Sequence, residues 1–424
     1  MHREAEKTYA AVAEELKGII GGAQRVLAGE ATGGEVVFNA APHARSGVPA
    51  GAARPASAVD GGCTVSARTG GGYVLDNGLI RVTVDERGLV VSAFDVAADR
   101  ETVAPGEAAN LLQIHPDFPN MWDAWDVDQF YRNTVTDLTD VDELTVRTKE
   151  SGTVSVRVAR SFGRSRVVQT LSLTADAKRL DVDTEVDWHE TEKFLKAAFP
   201  LDIHTDRYAA ETQFGHLFRP THTNTSWEAA KFEACNHRFV HFAEPGWGVG
   251  LVNDSVYGHD VTRTVRPAED GAPGTTTTVR LSLLRAPRFP DPQTDQGLHR
   301  FRYALLPGAR IGDAVREGYL INLPERRVPG DAQVSPLVSV DNDAVVVTAV
   351  KLADDASGDV VVRLHEACGG RARAGLTVGC AVRRAQACDL LERPTSPVVV
   401  TDGHIELSLR PFELVTLRLS PNSS

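Results

Sequence analysis

The sequence is poor in several things that would mark its chemistry at once. It has five cysteines in 424 residues. Cys63, Cys235, Cys368, Cys380 and Cys388 form no CxxC pair. An odd count without paired spacing excludes a disulfide framework and a zinc knuckle, and reads as reduced thiols of a cytoplasmic protein. No apolar run approaches the length needed to cross a membrane. The opening "MHREAEKTYAAVAEELKG" is charged and helical, unlike a secretory signal. Basic residues are in deficit: the net charge is −12. Nucleic acid and anionic membrane are therefore excluded as partners, because both need a basic face. There is no glycine-rich phosphate loop, no G-x-S-x-G elbow and no HExxH. Carboxylates are plentiful, yet no isolated pair stands out as acid and nucleophile.

Helical pattern is also scarce. Tyr9, Val12, Leu16, Ile19, Ile20, Ala23, Val26 and Leu27 form one apolar stripe, which predicts a first helix. No second long helical pattern follows. A lone amphipathic helix needs a partner surface, so it lies on a sheet or belongs with helices outside this chain. Next, "VVFNAAPHARSGVPAGAARPASAVDGG" opens as a strand and becomes a linker. From Tyr73 the alternation is that of strands, with a hairpin signal at Asp85–Gly88. Many strands without intervening helices predict a mainly β protein of antiparallel sandwiches. A break over 318–336 separates a smaller β unit at the C-terminus. The expected domains are thus 1–30, 31–60, 61–325 and 326–424, and no tandem repeat is seen.

Three polar stretches are candidates for function. "NMWDAWDVDQFY", 120–131, packs two tryptophans and three carboxylates into twelve residues of a chain with only five Trp. Trp covers a sugar face and carboxylates accept from hydroxyls, although buried Trp with capping Asp also makes an ordinary corner. "FGHLFRPTHTNTSWEAAKFE", 214–233, is a long polar loop whose Thr225 or Ser226 could start a short helix docked by Trp227. "LLRAPRFPDPQTDQGLHRFRYAL", 283–305, has three prolines in six residues, with Arg285, Asp291, Asp295, Gln296 and His299 on or beside the stiffened loop. Glu233, His237 and His241 fall four apart in "FEACNHRFVHF", a zinc spacing on a helix. Their apolar neighbours do not keep helical period, and a polar sheet face explains them more simply.

Taken in order, "VVFNAAPHAR", "LDNGLIRVTVDERGLVVSAFDVAADRE", "LLQIHPDFPNMWDAWDVD", the 199–261 stretch around "RPTHTNTSWEAAKFEACNHRFVHF", "LSLLRAPRFPDPQTDQGLHRFRYALLPG", "VVVRLHEACG" and "LRPFELVTLRL" resemble the C-terminal half of glycoside hydrolase family 38 α-mannosidases, in its bacterial and cytosolic branch. The resemblance covers nearly the whole chain. It implies a large galactose-mutarotase-like sandwich, a smaller C-terminal sandwich, and one helix remaining from a three-helix bundle. It implies retaining exo-hydrolysis of terminal α-mannosides, with zinc, its ligands and the nucleophilic Asp in an N-terminal catalytic domain. No segment here matches that domain or its H-D-x-x-P-G loop, so the isolated chain is expected to be inactive and without metal ligands or catalytic residues. The substrate-binding residues it suggests are Trp122, Asp123, Trp125, Asp126, Arg219, His222, Asp295, Gln296 and His299. Expected partners are α-mannosides, the catalytic domain and, as a homo-oligomer, a second copy of the chain. Two other readings stay open. One is a free-standing carbohydrate-binding or scaffolding protein. The other is a mutarotase-like epimerase using His204, His222, His237 or His241 with Glu211 or Glu233.

Overall fold

A computed structural model describes residues 2–31, 33–57, 62–149, 152–267 and 273–422. The expected boundary at 60/61 lies outside the described residues. The chain divides into two compact units, 59–322 and the pair 1–58 with 323–424. It is mainly β, with several antiparallel sheets.

In the 59–322 unit the described residues form sheets of five, six and nine strands. One apolar core serves all three, with Ile80 and Val82 from the first, Leu195 and Phe199 from the second, and Val156, Val182 and Leu305 from the third. Alternation gives the reason. In Ser165–Thr174 and Leu180–Trp188 every second side chain is buried, so each strand offers one apolar face. The hairpin expected at Asp85–Gly88 is present: Asp85 N donates to Leu89 O at 2.9 Å and Gly88 N to Asp85 O at 2.9 Å. Gly88 has φ +71°, and a Cβ there would meet Val158 Cγ1 at 2.5 Å, so glycine is required.

One element contradicts the expectation that no further long helix follows the first. Ile311–Asn322 is a helix, with Ala314, Val315, Gly318, Tyr319, Leu320 and Ile321 buried. Its apolar stripe is interrupted by Gly318, which hides the period. That glycine lets Arg238 approach, since a Cβ would lie 3.1 Å from Arg238 Cβ. Arg238 in turn covers the Tyr319 ring at 3.6 Å.

In the other unit, Glu35–Phe38 pairs antiparallel with both Ala53–Pro55 and Arg326–Pro329. A sheet of three strands and one of five enclose a second core containing Leu364, Leu376, Ile405 and Leu417. The first helix, His2–Leu27, keeps its stripe in solvent: Tyr9 is 74% and Ile19 62% exposed. Its C-terminal end is tied down, because Asp331 N and Ala332 N both donate to Ala28 O.

Candidate functional site

The site lies within the 59–322 unit and is built on a buried cation. In strand Lys193–Leu201 the Lys196 side chain is fully buried. A lysine there survives only if it is neutralised. Its Nζ lies 2.6 Å from Asp260, itself fully buried, and also contacts Glu233. It donates to Tyr131 Oη at 2.9 Å and sits 4.6 Å from the Phe194 ring centroid. Tyr131 Oη donates to Glu233 Oε1 at 2.5 Å. Arg280 Nη1 donates to Asp260 at 2.8 Å, and Arg132 reaches both Asp260 and the Phe232 carbonyl. Burial alone would raise the Asp260 pKa, but Lys196, Arg280 and Arg132 outweigh it and hold it at about 2. Burial pushes the Tyr131 phenol up, so it stays protonated and can donate. Beneath, His259 is buried and its pKa falls to about 3; its Nε2 is 2.9 Å from Tyr208 Oη.

These ion pairs join two loops to one sheet. Tyr131 and Arg132 belong to the 3-10 turn Gln129–Asn133, capped by Asp128, which accepts from Phe130 N. Glu233 ends the 221–233 loop. The loop does contain the short helix Ser226–Ala229 capped by Thr225, but Trp227 does not dock it and is 78% exposed. A third loop is held by Arg285, which makes a two-pronged pair with Asp117 at 2.7 and 2.9 Å and donates to Asp123 O at 3.1 Å.

Between these loops is a cleft of about 560 Å³, whose walls include Val127, Phe194, Arg219, Glu233, Ser282 and Asp295. Glu233 Oε2 accepts from Ser282 Oγ at 3.1 Å.

The residues singled out in the sequence separate into groups. Trp122 and Trp125 are 62% and 68% exposed, so neither ring packs into the sandwich. Trp122 adopts φ +60°, and its carbonyl accepts from Trp125 N and Asp126 N, closing a tight turn that turns both rings out. Asp123 is an internal brace: its Oδ2 accepts from Arg288 N at 2.6 Å and Phe289 N at 2.9 Å. Asp126 is exposed and accepts only from its neighbour Val127 N. Gln296 donates to Glu190 O at 2.6 Å, and His299 Nε2 lies 2.7 Å from Asp295 O. His299 thereby shapes its own loop, and Gln296 ties that loop to the turn at Glu190. Arg219 and Asp295 line the cleft, where partial desolvation raises the Asp295 pKa. His222 is half-buried, with no partner on Nδ1.

The Glu233, His237, His241 spacing does not make a metal centre. Glu233 is bound to Lys196, His241 Nε2 faces Ala309 O at 2.8 Å, and His237 lies in the segment between strands Ala234–Cys235 and Phe239–Glu244. Among the described residues no group of three or more His, Cys, Asp or Glu gathers to hold a metal ion. Most of the epimerase pairings are committed elsewhere as well: Glu211 is paired with Arg238, and His204 Nδ1 with Thr275. The Lys196–Asp260–Tyr131 cluster itself was not found from the sequence. Its only signal was a lysine inside the otherwise apolar strand "FLKAAFPL".

Fold and sequence comparisons agree on the class. The profile of the glycosyl hydrolases family 38 C-terminal domain matches residues 75–293, and that of the family 38 C-terminal beta sandwich domain matches 344–417. The chain belongs to glycosyl hydrolase family 38. It is 35% identical over 364 residues to human alpha-mannosidase 2C1, covering 83% of this chain and 34% of that protein. It is 31% identical over 388 residues to the alpha-mannosidase of Saccharomyces cerevisiae, covering 82% of this chain and 34% of that one. An alpha-mannosidase structure from Enterococcus faecalis shares the fold, with TM-score 0.68 at 16% identity, over 88% of this chain and 46% of that chain. The chain thus spans about a third of the length of the curated relatives it matches.

Proposed function

We propose that this chain is the β-rich portion of a retaining exo-α-mannosidase that removes terminal α-linked mannose from glycans in the cytoplasm. The observation that carries the reading is the family match over 75–293, a region that includes the tryptophan loop and every residue lining the cleft except Asp295. Exposed Trp122 and Trp125 suit it, because an aromatic face covers a pyranose ring at low entropic cost. Asp126, beside an exposed ring with an oxygen to spare, is the better hydroxyl acceptor of that loop, and Asp123 holds it in place. Arg219, Asp295 and His222 complete the proposed sugar-facing set.

The chemistry of such an enzyme is double displacement at the anomeric carbon, with one carboxylate as nucleophile and a second as acid. Zinc, when bound, would hold mannose hydroxyls. Among the described residues no group fits a zinc site, so we assign zinc, nucleophile and acid to a catalytic domain outside these 424 residues. The purified chain should not turn over an aryl α-mannoside with zinc or cobalt added. Joined to a family 38 catalytic domain, it should. Turnover by the chain alone, or none by the joined protein once folded, would overturn the reading.

A further inference from the structure

We propose that Glu233 and Arg219 form a hydroxyl-binding pair for a neutral sugar in the cleft, with Lys196 and Tyr131 as positioning residues for Glu233. The proposal rests on the mannosidase reading and deepens it, by giving Glu233, considered from the sequence only as a metal ligand or epimerase base, the role of a hydroxyl acceptor. Four observations support it.

First, Glu233 is oriented. Two donors on one side, Lys196 Nζ and Tyr131 Oη, fix Oε1. Oε2 takes only the Ser282 hydroxyl, at 3.1 Å, and keeps acceptor capacity in the cleft wall. Second, Arg219 has donors to offer. Its Nη2 makes only a long contact of 3.3 Å with Cys235 O, and none of the ion pairs among the described residues includes it, although its Nε is buried. An acceptor and a multiple donor lining the same cleft match the alternating needs of sugar hydroxyls. Third, the charges cancel. Of the charged side chains that line the cleft, Arg219 and Arg285 are matched by Glu233 and Asp295. Such a cleft favours an uncharged polyol over a phosphorylated or carboxylated sugar. Fourth, the floor is kept open by Gly258, where a Cβ would lie 2.9 Å from Ser282 Cβ and displace the hydroxyl that holds Glu233.

The pair is tested by calorimetric titration of the 424-residue chain at neutral pH with methyl α-mannoside, α-1,2-mannobiose and mannose 6-phosphate. The wild-type chain should bind the two neutral sugars, and mannose 6-phosphate no better. Glu233→Gln and Arg219→Met should each weaken binding about tenfold or more, the loss expected for a charge-assisted hydrogen bond. Arg219 has no ion partner to strand, so Arg219→Met should melt within a few degrees of wild type, and it decides the matter if Glu233→Gln fails to fold. Lys196→Arg should restore most of the binding that Lys196→Met loses, as positioning requires. No binding by the wild-type chain, wild-type affinity in both site variants, or preference for the phosphorylated sugar would each overturn the pair. None of these results decides whether the joined enzyme cleaves mannosides, so the two proposals fail separately.

Discussion

The 59–322 unit buries a cation; among its described residues the C-terminal sandwich buries no lysine or arginine. Lys196 has no exposed side-chain surface, and it is paired with an equally buried Asp260. In the C-terminal sandwich the ion-paired cations Lys351, Arg363, Arg410 and Arg418 keep 35%, 28%, 73% and 13% of their side-chain surface. Its buried Glu366 is held by backbone donors, Cys368 N, Gly369 N and Phe412 N. A buried ion pair is a poor way to gain stability, since apolar residues of similar size do as well or better. Its use beneath the cleft follows from what has to be held. The loops there leave Trp122, Trp125, Phe130 and Trp227 in solvent, so apolar burial cannot anchor them. Directional charged bonds from Lys196, Arg132 and Arg285 do so instead.

The largest effect should come from removing the central charge. Lys196→Met leaves Asp260 and Glu233 without their main cation in a poorly solvated place. The cost should be about 3–5 kcal/mol, the range for breaking a buried pair. Chemical denaturation followed by tryptophan fluorescence measures it, because all five tryptophans lie in the 59–322 unit. The comparison breaks if the midpoint barely moves.

Acid should separate the two units next. His259 titrates at about 3 in the folded chain, against about 6.5 unfolded. Between those values the unfolded chain takes up a proton that the native chain refuses. Stability therefore falls as pH falls through that window, by up to about 1.4 kcal/mol per pH unit for one histidine. His115 and His241, also lowered chiefly by burial, act in the same direction. Asp260, held at about 2, contributes stability that is present above about pH 4 and is lost as pH falls toward 2. Tryptophan fluorescence should thus report unfolding while part of the β circular dichroism, from the tryptophan-free C-terminal sandwich, persists. Coincident transitions would remove the distinction.

How much of this was legible in the sequence follows from which forces write a local pattern. Alternation marks each strand within a few residues, so the sandwiches and the Asp85–Gly88 hairpin could be read directly. The first helix showed because its stripe is long and continuous. The 311–322 helix did not, because Gly318 breaks its stripe for the sake of Arg238, a residue some eighty positions away. The cleft was half legible. Trp and Asp crowding marked the 120–131 loop, but which carboxylate braces and which faces outward depends on Arg288 N and Phe289 N, far along the chain. Exposure of both rings could not be foreseen either. It results from the left-handed backbone at Trp122, which sequence spacing does not encode.

A middle-sized effect is expected where a carboxylate anchors a loop by backbone donors. Asp123→Ala leaves Arg288 N and Phe289 N without an acceptor. Because these groups are near solvent, the loss should be about 1–2 kcal/mol. Asp126→Ala, which removes only a bond to its own neighbour, should leave the melting temperature within about a degree of wild type. In an intact enzyme the pair should diverge the other way: Asp126→Asn lowers kcat/KM about tenfold or more if it binds a hydroxyl in the transition state. Asp123→Asn acts through loop stability. Equal melting temperatures for the two alanine variants would show that the loop is not braced as described.

The smallest effect should be at Asp355. Hydrogen bonds from Ser357 and from Arg418 hold its pKa at about 2, the same value as Asp260. The two carboxylates nevertheless differ in what they contribute. Asp260 has no exposed side-chain surface, while Asp355 keeps 53% of its own. Water and salt screen an exposed pair, and ordering two long side chains offsets most of what remains. Arg418 also keeps a second partner, Asp359, at 2.6 Å when Asp355 is changed. Asp355→Asn should therefore shift the melting temperature by no more than about a degree, and raising the salt concentration should erase even that. Asp260→Asn should destabilise the chain at any salt concentration, since Lys196 and Arg280 would lose their shared carboxylate in a place that ions do not reach. A drop of about five degrees or more for Asp355→Asn would show that a depressed pKa, not burial, decides which pairs hold this protein together.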